Sequence, residues 1–259
     1  MGGAAHPAHM TRHTYLLCTA PRSGSTMLCG MLAATGAAGA PQSYFHQPDQ
    51  ASWARDLGLP AGAPLTDIIA AVQATQSGGI TGIRLQQRSF AYLMDRLSGY
   101  GATDPERITA AFGPTRYIWL RRGDKVAQAI SLLRAEQTGL WHRNADGTDL
   151  ERQTPSRQDG YNADAITAQI KAFETADRTW RSWFADHGIV PHALSYETLT
   201  DAPRSNLAAL LAFLGLDPAQ TQAHAGRVTI PTKRLADATS DEWSKQYRAD
   251  VLAKRGESP

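Results

Sequence analysis

A run of small and hydroxyl residues with one arginine lies near the start of the chain, in the stretch TAPRSGSTMLCG. Gly24 lets a ligand approach the backbone closely, because glycine has no Cβ. The hydroxyls of Ser23, Ser25 and Thr26 can donate hydrogen bonds, and Arg22 adds a charge-assisted donor. These residue types at consecutive positions favour the binding of an anion. A Ser/Gly-rich turn without chemical importance is the alternative.

The flanking segments indicate which anion such a loop would bind. The apolar run TYLLCTA, from Thr14 to Ala20, predicts a buried strand. Apolar residues then recur at helical spacing from Met27 to Leu32, and Gly36 is a typical C-cap. The loop therefore joins the carboxyl end of a strand to the amino terminus of a helix. Backbone N–H groups and the positive end of the helix dipole converge there, so a phosphate is the expected ligand.

Three common phosphate-binding motifs do not fit the spacing. The nucleoside triphosphatase motif needs an opening glycine and a lysine after its last glycine, whereas Ser25 follows Gly24. A cysteine phosphatase would need an arginine six positions after its nucleophile, and the residue six positions after Cys18 is Gly24. A dinucleotide-binding fingerprint needs three spaced glycines, and the loop contains only one. Magnesium–ATP chemistry is therefore disfavoured.

The composition restricts the class of protein further. The chain has 259 residues, of which 42% are hydrophobic, and this is enough for one sizeable core. Its net charge is only +2, so a local site must hold the anion, and neither nucleic acid nor a membrane surface is an expected partner. Cys18 and Cys29 lack metal-ligand spacing and suggest no disulfide framework, which favours a cytoplasmic protein. No integral membrane segment is expected, and residues 1–13 are predicted to be a disordered tail.

Strand-like apolar runs alternate with helical patterns along the chain. Further strands are predicted at GITGIRLQ, TRYIWLRR and IVPHALSYETL, each followed by a helical pattern. Repeated strand-then-helix order predicts an α/β fold with a central parallel sheet flanked by helices on both faces. The polar segment 140–160 has no pattern and is too long for a simple connector. It is predicted to be a lid or mobile segment within a single domain of residues 14–259.

The stretch PRSGST after an apolar first strand resembles the 5′-phosphosulfate loop of sulfotransferases that use 3′-phosphoadenosine-5′-phosphosulfate (PAPS). In that family an arginine at the end of the central strand and a serine in the next helix bind the 3′-phosphate. The stretch YIWLRRGDKVAQAIS has this form, with Arg122 at the strand end and Ser131 nine residues later. Asp124 near the helix start and Ser131 are about two turns and ~10 Å apart on one helix face, so both signature residues can face one anion. A solvated strand end and a neutral helix position are the alternative.

Longer stretches resemble the bacterial sulfotransferases of the mycobacterial trehalose 2-sulfotransferase type. These stretches read ATGAAGAPQSYF, RRGDKVAQAISLLRAEQTGLW and RLADATSDEWSKQYRAD, and the resemblance covers residues 15–250. In the last stretch Thr239 and Glu242 predict a capping box for a final helix, which Trp243 would pack against the protein. The resemblance also implies that Arg234 helps to close over the nucleotide, with a surface arginine as the alternative.

The sequence departs from this family at one position that matters for catalysis. Family members carry a glutamate in a P-Q-E-[FY]-F segment, the proposed base for the acceptor hydroxyl, and Ser43 stands at that position here. His46 is the nearest side chain whose ordinary pKa suits a general base. A purely structural histidine is the alternative. Arg84 stands where relatives carry a lysine and would steady the bridging oxygen or an acceptor hydroxyl, unless it only pairs with a carboxylate.

The resemblance implies a PAPS-dependent sulfotransferase with a P-loop-like three-layer sandwich, no metal, a carbohydrate or glycolipid among the candidate acceptors, and a homodimeric state. Arg22, Arg84 and His46 are the predicted catalytic residues. The residues predicted to bind the nucleotide are Pro21, Arg22, Ser23, Gly24, Ser25, Thr26, Arg122, Ser131 and Arg234. Two other classes stay open, which are a nucleoside or metabolite kinase with a degenerate phosphate loop and a non-catalytic nucleotide-binding relative.

Overall fold

The computed structural model describes residues 13–46, 48–154, 160–231 and 235–255. Residues 1–12 of the predicted tail and Arg234 lie outside these ranges. The strands are β1 (His13–Thr19), β2 (Ile80–Gln86), β3 (Thr115–Arg121), β4 (Leu140–Arg143), β5 (Asp149–Arg152) and β6 (His192–Ser195). The α-helices are α1 (Ser25–Ala34), α2 (Gln50–Asp56), α3 (Leu65–Ala74), α4 (Gln87–Arg96), α5 (Asp104–Phe112), α6 (Lys125–Thr138), α7 (Ala163–Asp186), α8 (Tyr196–Asp201), α9 (Pro203–Phe213), α10 (Pro218–Arg227) and α11 (Ala238–Arg255).

A four-stranded parallel sheet with the strand order β2-β1-β3-β6 forms the centre of the protein. Every residue of β1 after His13 is buried. Strands of a parallel sheet are covered by helices on both faces, which is why β1 reads as a continuous apolar run rather than an alternating one. The predicted α/β class with a central parallel sheet is confirmed.

Alternate side chains of β1 pack against two different layers of helices. Leu16 and Cys18 lie in a buried cluster with residues of α2, α3, α4 and α5. Tyr15 and Leu17 lie in a second cluster with residues of α1, α8, α9 and α10. Because successive strand residues point to opposite faces, these two clusters lie on opposite sides of the sheet. The three-layer arrangement predicted from the sequence is therefore confirmed.

A third buried cluster holds α6, α7 and α11 together, and it includes Ala20, the first residue after β1. From α7, the buried Trp180 donates a hydrogen bond from Nε1 to the carbonyl oxygen of Thr19 at 3.2 Å. This bond lies at the carboxyl end of β1, where the loop begins. The helices of this cluster therefore fix the point from which the loop leaves the sheet.

The segment 140–160, in which the sequence shows no pattern, contains a regular element. Strands β4 and β5 pair as an antiparallel hairpin, and the pairing has register shifts after Leu140 and His142. Such shifts break the alternation by which a strand is recognised from sequence. The backbone N–H of Ala145 donates to the carbonyl oxygen of Pro231 at 3.1 Å, which joins the hairpin to the segment before α11. Residues 155–159 lie outside the described ranges, and the role of this segment as a lid stays a prediction.

The final helix begins two residues earlier than its predicted capping box requires. Asp237 precedes α11 and accepts a hydrogen bond from the backbone N–H of Ser240 at 3.1 Å, so it caps the helix in place of Thr239. The Asp237 carboxylate also pairs with Arg134 of α6, and aspartate is among the preferred N-cap residues. The predicted packing of Trp243 is confirmed, because its ring lies against the third cluster.

Candidate functional site

The loop between β1 and α1 is anchored inside the protein by Ser23. This residue is fully buried. Its hydroxyl is hydrogen-bonded to that of Thr19, and the Thr19 hydroxyl lies 2.9 Å from the carbonyl oxygen of Leu120. The Ser23 hydroxyl therefore stabilises the loop against the strand ends. Of the predicted hydroxyl ligands, those of Ser25 and Thr26 line the cavity described below.

Gly24 shapes the turn from the loop into α1. Its φ is 88°, in the left-handed region, and it occupies the N-cap position without a side-chain cap. A Cβ on Gly24 would lie 2.5 Å from Cδ2 of the Tyr196 ring. The first-turn N–H groups of α1 thus have no side-chain acceptor at the N-cap. The neighbouring backbone at position 24 has a left-handed φ and no room for a Cβ, so it favours glycine. Both features are typical of anion sites at helix amino termini.

Arg22 joins the two anion sites predicted from the sequence, which are the loop and the pair of Arg122 and Ser131. Its Nε donates to the hydroxyl of Ser131 on α6 at 3.0 Å, and its Nη1 donates to the carbonyl oxygen of Trp141 on β4 at 2.6 Å. Its own carbonyl oxygen accepts a hydrogen bond from Nη1 of Arg122 at 3.3 Å. Burial and the neighbouring Arg122 guanidinium lower the pKa of Arg22 to about 10, so the cationic form is less favoured than in water.

Arg122 lies immediately after β3, at the carboxyl end of the sheet. Its guanidinium stacks over the Tyr196 ring at 4.6 Å from the centroid, and the residue is buried. The amino terminus of α6 beside it is capped by carboxylates, because Asp124 accepts from the N–H of Ala127 and Glu197 accepts from that of Gly123. The group available to bind an anion at this strand end is therefore the Arg122 guanidinium rather than the start of the helix.

A chain of hydrogen bonds links β2, α1 and the hairpin. Nε of Arg84 donates to the hydroxyl of Ser43 at 2.8 Å, and Nη1 donates to that of Thr26 at 2.9 Å. The Thr26 hydroxyl is also 3.0 Å from Nε2 of His142. No ion pair between described residues includes Arg84, so the alternative of a carboxylate pair gains no support within these ranges.

His46 is exposed and lies close to Ser43. Its Nδ1 is 2.9 Å from the carbonyl oxygen of Ser43, and its ring borders the cavity. His46 therefore lies beside the cavity and close to Ser43. Whether it acts as a base stays a prediction.

His142 belongs to the site but was not predicted, because it lies in the segment where the sequence shows no pattern. The hairpin places its ring between the loop and β5, with Nε2 3.6 Å from a Glu151 oxygen. Burial lowers the pKa of His142 to about 4, helped by the positive charges of Arg22 and Arg84. The imidazole is therefore neutral at physiological pH.

The residues of the site that border one cavity of about 1300 Å³ are Arg22, Gly24, Ser25, Thr26, Ser43, His46, Arg84, Arg122, Asp124, Ser131, His142 and Tyr196. The loop, the carboxyl end of the sheet, α6, the hairpin and the start of α11 enclose it. A volume of this size exceeds that of a drug-sized pocket and suffices for a nucleotide together with a second molecule. Arg134 and Asp237 form an ion pair at its edge.

Two kinds of feature are absent from the described ranges. Within them, no group of three or more histidine, cysteine, aspartate or glutamate side chains is arranged to hold a metal ion. None of the helices in the same ranges is long and apolar enough to cross a membrane.

Comparison with known proteins assigns the chain to a family. The family model of Stf0 sulphotransferase matches residues 14–250. The chain therefore belongs to this family and is a sulfotransferase.

Two curated relatives are similar over most of their length. The trehalose 2-sulfotransferase of Mycolicibacterium smegmatis is 30% identical over 92% of this chain and 95% of its own. The protein of the same name from Mycobacterium tuberculosis is also 30% identical, with the same coverage. Among solved structures, the sulfotransferase domain from the Synechococcus PCC 7002 olefin synthase matches with 16% identity and a TM-score of 0.49, over 93% of this chain and 97% of that one.

The contact between Gly24 and Tyr196 generates a stability prediction. Gly36 has a φ of 67°, and a Cβ added there would meet no atom within 4 Å, so Gly36→Ala suffers only the left-handed backbone, at a cost of ~1 kcal/mol. Gly24→Ala suffers the same strain and also the overlap with the ring, and we expect a further loss of ~1 to 3 kcal/mol. Chemical denaturation of both variants measures the difference. Equal losses would show that the ring does not restrict position 24.

Proposed function

We propose that this sulfotransferase transfers the sulfuryl group of PAPS to a hydroxyl of a small carbohydrate or a glycolipid. One observation carries the donor assignment. Arg22 of the loop is hydrogen-bonded to Ser131 and lies against Arg122, so the two predicted anion sites border a single cavity. A donor with a phosphate at each end, joined by a nucleoside, fits this pairing.

The loop is proposed to bind the 5′-phosphate and the sulfuryl group through the N–H groups that open α1 and the hydroxyls of Ser25 and Thr26. Arg122 and Ser131 are proposed to bind the 3′-phosphate, and Arg234 to close over the nucleotide. Stacking of Arg122 on the Tyr196 ring keeps its guanidinium from swinging away, which supports a fixed phosphate contact. Such a site works by positioning and by electrostatic stabilisation rather than by covalent chemistry.

In the proposed transfer step the acceptor oxygen attacks the sulfur in line with the bridging oxygen of the donor. The bond between sulfur and the bridging oxygen breaks, and the bisphosphate leaves with the electron pair. Arg22 is proposed to stabilise the charge that develops there, and Arg84 to hold the sulfuryl group or the acceptor hydroxyl. The proton of the acceptor passes to a base, for which His46 is the proposed residue because Ser43 cannot serve.

The acceptor class rests on the relatives. Both curated relatives are named for trehalose, a carbohydrate. The cavity, at about 1300 Å³, leaves room for an acceptor beside the nucleotide. A homodimer is also proposed on the basis of the relatives alone.

The donor assignment predicts a selective thermal shift. Adenosine 3′,5′-bisphosphate engages both anion sites, so it should raise the melting temperature in a buffer without magnesium, whereas ATP should have little effect. Thermal denaturation with each nucleotide measures this. Stabilisation by magnesium–ATP alone would instead favour a kinase.

The role of Arg122 predicts a loss that depends on the nucleotide. Arg122→Ala removes a charge-assisted contact of ~1.5 to 3 kcal/mol, so the affinity for the 3′,5′-bisphosphate should fall about 10- to 150-fold. Binding of 5′-AMP should hardly change, and calorimetry measures both. Arg121→Ala is the matched control, because its exposed guanidinium packs over Trp119. Equal losses for both nucleotides would contradict the assignment.

The base assignment predicts a loss of turnover when His46 is replaced. His46→Gln should lower kcat by about 10²-fold or more with bisphosphate binding intact, because the acceptor proton loses its base. Turnover is measured with sulfur-labelled PAPS against a panel of sugars, glycolipids, phenols and small alcohols.

Ser43→Glu is the companion variant in the same assay. It would place a carboxylate beside Arg84, whose Nε is 2.8 Å from the Ser43 hydroxyl. If this variant raises turnover while His46→Gln changes nothing, His46 is not the base and the chain is a base-deficient relative of the carbohydrate sulfotransferases.

A further inference from the structure

We propose that His142 is a further donor-binding residue, which takes up a proton when the donor binds and then contacts the sulfuryl end as a cation. This inference rests on the proposed donor. It concerns a residue of the hairpin rather than of the loop or of the strand ends.

The position of the ring supports the proposal. Nε2 of His142 is 3.0 Å from the hydroxyl of Thr26, which opens α1 where the sulfuryl group is proposed to lie. The ring borders the same cavity as the loop. Among the described residues, its Nδ1 has no hydrogen-bond partner, so one ring nitrogen is available to a ligand.

Burial of the ring, together with the charges around it, keeps His142 neutral without a ligand. Arg22 approaches from the loop and Arg84 from β2, and both disfavour an imidazolium. Glu151 of β5 is the one facing carboxylate found in the described ranges, at 3.6 Å from Nε2, and it is partly exposed. The two arginines and the burial of the ring outweigh it, because the pKa of His142 is lowered to about 4.

A bound donor offsets the effect of the two arginines on His142. Its sulfuryl and 5′-phosphate groups bring negative charge next to both arginines, and a nearby opposite charge raises the pKa of a histidine. Between the low pKa of the free site and the higher pKa of the occupied site, binding then takes up a proton. By linkage, donor affinity increases as the pH falls through that window.

Calorimetric titration with adenosine 3′,5′-bisphosphate at pH 6, in buffers of different ionisation enthalpy, measures the protons taken up. Wild-type protein should take up about one proton more than His142→Gln, whose amide can still bond to Thr26. The same variant should lower bisphosphate affinity about 10-fold at pH 6 and less than about 2-fold at pH 8. His192→Gln is the matched control, because burial lowers the pKa of His192 as well but its ring packs against Phe213. It should match the wild type in both measurements.

Nitrogen NMR of the wild-type imidazoles at pH 6, with and without bisphosphate, gives a second measurement that needs no variant. One ring should change from neutral to cationic on saturation. Equal proton uptake by wild type and His142→Gln, or no ring that becomes charged, would overturn the role of His142 while leaving the donor intact. If the wild-type protein does not bind the bisphosphate at all, the donor proposal itself fails.

Discussion

The site depends on how Arg22 is held. Among the described residues it is the non-glycine position with a positive φ, at 60°, a conformation that costs an ordinary residue about 1–2 kcal/mol. Contacts from three elements offset this cost. The side chain binds Ser131 of α6 and the backbone of β4, and the carbonyl oxygens of Pro21 and Arg22 accept from Gln128 and Arg122. A change in any of these elements would move the loop, so the sheet end, α6 and the hairpin form one unit.

The electrostatics of the cavity follow from the same arrangement. The chain has a net charge of only +2, yet Arg22, Arg84 and Arg122 lie around one space. Burial and the neighbouring Arg122 lower the pKa of Arg22, and burial together with Arg22 and Arg84 lowers that of His142. An anion with several charges relieves the repulsion among these arginines when it binds. The positive charges are therefore already in position without a ligand. Such preorganised charges stabilise a transition state effectively, because they need not reorganise during the reaction.

The sequence predicts those parts of the site that depend on local patterns. The order of strand, loop and helix around Gly24 and the pair of Arg122 and Ser131 follow from residue types at fixed spacing, and the structure brings them to one cavity. The internal use of the Ser23 hydroxyl could not be predicted, because its partner Thr19 is defined only by how strand β1 meets the loop. His142 was missed because its hairpin pairs irregularly and leaves no period in the sequence.

Ser43, at the position where the resemblance implies a glutamate, affects how the charges of the site are distributed. A carboxylate at this position would neutralise Arg84, whereas the Ser43 hydroxyl only accepts a hydrogen bond and leaves the guanidinium charge uncompensated by any described carboxylate within ion-pair distance. Arg84 also reaches Thr26 at 2.9 Å, so its charge acts on the donor side of the cavity. In a loose transition state most of the charge develops on the leaving group and little on the acceptor oxygen. Under such conditions a stronger cationic field at the donor offsets a weaker base, and the loss of one carboxylate is compatible with sulfuryl transfer.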